Sequence, residues 1–180
     1  VVVLMMAAML MMGAAGFAAP AVTLKVGATP VPHAEILEVV KPMLAAKGIN
    51  LEIIEFTDYV TPNLALNDGD IDANFFQHVP YMEAFAKDRK LNITYIAKVH
   101  VEPMGAYSRR VKSVSELPAR AKVGIPNDPT NGGRALLLLQ KNGLITLNPK
   151  AGITATIFDI TANPKNLQIV ELDAAQLPRS

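Results

Sequence analysis

The side chains equipped for chemistry fall in two short segments, each placed where an apolar, strand-like run meets a helix-like one. The first is Asn74-Phe75-Phe76-Gln77-His78-Val79-Pro80-Tyr81-Met82, after the run Ile71 to Phe76. The second is Asn127-Asp128-Pro129-Thr130-Asn131-Gly132-Gly133-Arg134, after the run Lys122 to Ile125. In open α/β sheets, ligands bind beyond the carboxyl ends of strands, where helix N-termini present free N–H groups. Two such corners, carrying aromatics, amides, an imidazole and a guanidinium, point to a pocket built from two halves.

Arg134, expected at or near the first turn of the second corner's helix, could hold a carboxylate through two parallel bonds, with the helix end adding positive potential. Gly132 and Gly133 would let backbone approach closely. Tyr59, Phe76 and Tyr81 would form the opposite wall, receptive to an apolar side chain or a thioether. The plainer alternatives are that Phe75 and Phe76 are core, His78 is a cap and Arg134 is a solvated helix residue. Catalysis is harder to assemble from these residues. His78 could act as a base oriented by Asp70 or Asp72, but no G-x-S-x-G elbow or cysteine accompanies it. The glycines lack the G-x-x-x-x-G-K-[ST] spacing of a nucleotide loop.

Those corners need elements to position them. Leu24 to Ala28 reads as a strand, followed by a helix over about Ala34–Lys47 with Ile36, Leu37, Val40 and Leu44 on one face. Pro42 should bend or split that helix. A strand over Leu51–Phe56, a short helix over Tyr59–Leu66 behind the cap candidates Thr57 and Asp58, a strand over Ile71–Phe76, a helix over Val79–Lys90 and a strand over Ile93–Val99 follow. This alternation argues for a mostly parallel sheet with helices on its faces. Met104 to Ser108 then begins a new strand, and Ser113 to Pro118 carries a capping box and a helical turn. Lys122-Val123-Gly124-Ile125-Pro126 repeats in outline the opening Lys25-Val26-Gly27-Ala28-Thr29-Pro30, so two similar lobes are expected. A helix over Arg134–Lys141 and a strand over Leu167–Leu172 complete the pattern. The chain stops at Pro178-Arg179-Ser180 in what reads as the start of a further helix, so a segment completing the lobes is expected beyond it.

Composition narrows the function classes. The chain has 180 residues, 51% hydrophobic and 18% charged, with a formal charge of +1, enough apolar content for a proper core. No basic run is interleaved with aromatics, which argues against nucleic acid as a partner. The absence of cysteine excludes disulfides and thiolate metal sites. The three histidines, His33, His78 and His100, stand far apart and lack the i, i+4 spacing of a helical zinc motif, so neither metal nor cofactor is expected. Residues 1–24 carry no charge, and the run from Val1 decays into small residues with the triplet Ala19-Pro20-Ala21. Residues 1–21 are therefore expected to be a secretory signal peptide, though the basic n-region is absent; an uncleaved membrane anchor is the alternative. The destination is extracytoplasmic.

The segments Thr57-Asp58-Tyr59-Val60-Thr61-Pro62-Asn63, Ala73 to Tyr81 and Ile125 to Leu136 together resemble the NlpA family, the methionine-binding proteins of ABC import systems. The likeness spans about Leu24 to Ser180. It implies a two-lobed α/β periplasmic-binding-protein fold of type II, each lobe a mixed sheet flanked by helices, with lobe one over 22–101 and lobe two, incomplete, over 102–180. It implies capture of L-methionine and delivery to a membrane permease, with no bond made or broken; another apolar amino acid or a methionyl dipeptide is the alternative ligand. By motif, Tyr59, Phe76 and Tyr81 match the wall around the methionine side chain, and His78 and Arg134 match the partners of its polar end. Family members carry a lipobox cysteine directly after the signal. Ala14 to Ala21 has none, a departure from the family pattern at the position of the lipid anchor.

Overall fold

The computed structural model describes residues 22–180, so the expected signal segment 1–21 lies outside the described residues. Its first sheet has the order β2-β1-β3, from β1 (Val22–Ala28), β2 (Ile49–Glu55) and β3 (Ala73–Phe75). Both pairings are parallel, with Val26 opposite Ile53 on one side and Ala73 on the other. Because β1 is central, its second half is covered, and Val26 and Ala28 are buried.

Parallel neighbours need crossovers, and the sequence supplies helices for them. Helix α1 (Glu35–Ala45) links β1 to β2, half-burying Ile36, Leu37, Val40 and Leu44 while Val39 and Met43 face solvent. It does not split at Pro42, one of the two expected outcomes, but continues to Ala45. Proline there removes only the donor to the Glu38 carbonyl, and a single turn of helix remains beyond it. Helix α2 (Thr61–Asp68) links β2 to β3 and starts two residues later than its apolar pattern suggests. The cause is Asp58, whose Oδ1 accepts the N–H groups of Val60 and Thr61, each at 2.7 Å. Burial pushes that carboxyl up, but the bonds from Thr61 and Val60 outweigh it and hold it below its usual range. Gly69, at φ 81°, closes the helix in the left-handed conformation.

After β3 comes α3 (Val79–Arg89). A second region contains β4 (Lys122–Pro126), α4 (Pro129–Lys141), β5 (Thr146–Leu147), β6 (Ile160–Ala162) and β7 (Gln168–Leu172). Strands β4 and β7 pair in parallel, and β5 and β6 antiparallel. Its core is the inner face of α4, Ala135, Leu136 and Leu139, packed on Ile125, Leu144, Ile145, Leu147 and Leu167. The last residues, Ala174–Arg179, form a 3-10 helix.

Two expected strands do not form. Residues 93–99 and 104–108 adopt no regular structure, and Ile96, Val101 and Tyr107 are exposed. Apolar, β-branched composition favours a strand only when a neighbouring strand completes its ladder, and among the described residues none pairs with this stretch. The expected capping box at Ser113 is also a turn rather than a helix start. The Glu116 carboxylate accepts from the Lys112 N–H at 2.9 Å, and the Ser113 hydroxyl is 2.9 Å from that of Ser115.

Candidate functional site

At the first corner, β3 runs into α3 through Phe76, Gln77 and the N-cap His78. The amides here, expected as ligand partners, are bonded to one another. Asn63, fully buried on α2, donates to Gln77 Oε1 at 2.8 Å, and Gln77 returns a bond to Asn63 Oδ1 at 2.6 Å. Asn74 donates to Asn63 Oδ1 at 2.9 Å and to the Pro62 carbonyl at 3.2 Å. This closed set of amides fastens α2 to the corner, because a buried amide without partners would be strongly destabilising. Asn63 was legible only as part of a motif; its sole local signal is an amide on the inner face of a short helix.

The aromatic residues converge as the sequence suggested. Tyr59, Phe76 and Tyr81 meet pairwise with centroids 5.9, 6.3 and 6.2 Å apart and tilted or edge-on planes, the favoured aromatic arrangement. The Tyr81 hydroxyl donates to the Tyr59 carbonyl at 2.7 Å, locking the wall to the cap of α2. Burial, followed by the nearby carboxylates, raises both phenols above their usual range and keeps them neutral.

At the second corner, Asp128 is the N-cap of α4, accepting from the Asn131 N–H at 2.8 Å. The helix therefore begins at Pro129, and Arg134 lies in its second turn rather than its first. The side chain still reaches the corner: Nη1 donates to Asn131 Oδ1 at 3.0 Å and Nη2 to the Glu102 carbonyl at 3.0 Å. Gly132 and Gly133 allow the close backbone approach expected of them. A Cβ on Gly132 would lie 2.8 Å from the Pro126 carbonyl oxygen, and one on Gly133 would run into the Ile153 carbonyl. The backbone they admit against the helix is that of Pro126 and Ile153.

Tyr59, Phe76, His78, Tyr81 and Arg134 all line one cavity of about 780 Å³, together with Asn131 and Ile153. That lies within the roughly 300–1,000 Å³ of small-molecule sites. His78 Nε2 is buried with no hydrogen-bond partner among the described residues. Burial first, and then the Arg134 charge, hold its pKa below the ordinary value, against the opposing pull of Asp128. The suggested catalytic pairing is not formed: Asp72 accepts from the Lys25 N–H at 2.7 Å rather than orienting His78.

The family profile described as NlpA lipoprotein matches residues 24–180. A probable D-methionine-binding lipoprotein MetQ of Vibrio cholerae is 48% identical over 157 residues, covering 87% of this chain and 58% of that protein. Among solved structures, the methionine-binding protein MetQ superposes with a TM-score of 0.85 at 47% identity, covering 87% of this chain and 64% of that one. A nutrient-binding protein from Burkholderia cenocepacia, solved bound to methionine, gives 0.83 at 48% identity, covering 87% and 66%. The fold, with its aromatic-walled cleft, is thus the α/β fold of solved substrate-binding proteins. The chain belongs to the NlpA lipoprotein family, and it spans little more than half the length of the curated relative it matches.

Proposed function

We propose that this chain is the ligand-capturing component of an ABC importer, binding methionine outside the cytoplasmic membrane and passing it to a permease without chemical change. The observation that carries this reading is the joint facing of an aromatic trio and a guanidinium across one cavity. Tyr59, Phe76 and Tyr81 enclose the thioether, Arg134 holds the carboxylate, and the unpartnered His78 nitrogen accepts a hydrogen bond from the ammonium group. The relatives' names support the ligand class. Lobe one runs over 22–101 and lobe two over 102–180, a division supported by separate sheets on either side of the irregular stretch.

Calorimetric titration tests the reading. L-Methionine should bind, and norleucine, equal in length but lacking sulfur, should bind more weakly by about 0.3–1.5 kcal/mol per lost sulfur–ring contact. The cavity's size also leaves room for a methionyl dipeptide. Tighter binding of the dipeptide than of methionine would make that the ligand, and tight glutamate binding would sink the apolar-wall assignment. Recovery of the bound compound unaltered separates capture from turnover.

A further inference from the structure

His33, His100 and Glu102 belong to different parts of the chain, yet their ligand-competent atoms all lie within 4.8 Å of one another. His33 follows β1 in the buried turn before α1, and Thr29 Oγ1 lies 2.7 Å from its Nδ1. With Nδ1–H donating to that hydroxyl, the lone pair sits on Nε2, which lies 3.5 Å from Glu102 Oε1. His100 Nε2 is 2.9 Å from the same oxygen. Phe75 packs edge-on against both imidazoles, with centroids 4.7 and 5.5 Å away, and so holds their planes.

Ligand atoms about 2.0–2.1 Å from a tetrahedral ion stand about 3.3 Å from each other. The two nitrogen–oxygen separations, 2.9 and 3.5 Å, bracket that spacing. Two imidazoles with one carboxylate form a borderline donor set suited to zinc-like divalent ions, and a hydroxyl fixing the far nitrogen of a histidine is the outer-shell support such ligands use. His100 and Glu102 are part-exposed, at 30% and 49% of their side chains, so an ion could reach the group from solvent.

We propose that His33 Nε2, His100 Nε2 and Glu102 Oε1 form a binding site for one divalent transition-metal ion of the zinc class, with the fourth position open. His33, His100 and Glu102 lie on the wall of the cavity that Tyr59, Phe76, His78, Tyr81 and Arg134 also line, yet the proposal does not rest on the methionine reading, because metal binding is measured without any amino acid present. The site also ties the residue whose carbonyl receives Arg134 to the turn after β1.

The test is titration of tag-free, metal-stripped protein with Zn²⁺ against a chromophoric chelator, with Co²⁺ loading read by its visible ligand-field bands. One Zn²⁺ per chain is expected, with tetrahedral-type Co²⁺ bands. His100→Ala and Glu102→Gln, both at part-exposed positions, should each raise the Zn²⁺ Kd by at least about tenfold and abolish the Co²⁺ bands. Thr29→Val, which removes only the supporting hydroxyl, should raise Kd by about 10–100-fold. Stoichiometric binding that survives both His100→Ala and Glu102→Gln would overturn the assignment, as would no binding by the unaltered protein. In the latter case the cluster is an ordinary imidazole–carboxylate ion pair.

Discussion

Arg134 illustrates how a single charge is prepared for a partner. Two of its donors are committed to the Asn131 side chain and the Glu102 carbonyl, which orient the guanidinium without neutralising it. Replacing it by alanine should weaken methionine binding by about 2–5 kcal/mol, and lysine should restore only part, since an ammonium cannot make the forked contact. Calorimetry reads both, and binding by Arg134→Ala within threefold of the parent would remove Arg134 from the site. His78 carries a pH signature. Its folded pKa is depressed, by burial and then by the Arg134 charge, so the unfolded chain takes up a proton first as pH falls. This residue's contribution therefore favours the folded state above its ordinary pKa near 6.5 and is lost as pH falls from there through the depressed value. Urea melts from pH 7.5 downward should show a smaller loss of stability in His78→Gln than in the parent, and parallel curves would refute the assignment.

The helix α4 shows how an element depends on contacts that no local propensity encodes. Its opening Pro129 and cap Asp128 are favourable start signals, while consecutive glycines inside a helix are costly by intrinsic propensity. Their presence is explained by packing, since the Pro126 and Ile153 carbonyls press where side chains would be. Gly133→Ala gains helix propensity yet should destabilise the protein by about 1–3 kcal/mol, because a methyl group meets rigid backbone. Denaturant titration measures the difference; a variant as stable as the parent would mean that Ile153 moves aside easily.

At the scale of the whole molecule, the proposed mechanism is closure of two lobes on a ligand, which requires both corners to contact the same molecule. Saturating methionine should lower the radius of gyration in small-angle scattering and raise the melting temperature. Methionine at a hundred times its Kd should stabilise the protein by about 2.7 kcal/mol. A melting shift without compaction would mean that binding occurs without closure.

Much of this was legible in one dimension, because it depends on neighbours in the chain. Apolar patterning marked β1, α1 and β2, and the corner compositions marked Phe76, His78, Tyr81 and Arg134, with Tyr59 added by the aromatic set, as residues of one cleft. The remainder depended on atoms distant in sequence. Residues 93–99 have strand composition but no ladder partner among the described residues, so pairing rather than propensity decided their state. Asn74 and Gln77 read as pocket-lining amides until the approach of α2 to the corner bonded them to each other and to Asn63. His33 and His100, uninformative by spacing, became neighbours because the chain after α3 passes beside the turn that follows β1. Local sequence determines which conformations and donors a segment can offer; which donors are already satisfied, and which meet, is decided only when packing brings together segments whose separation along the chain carries no such information.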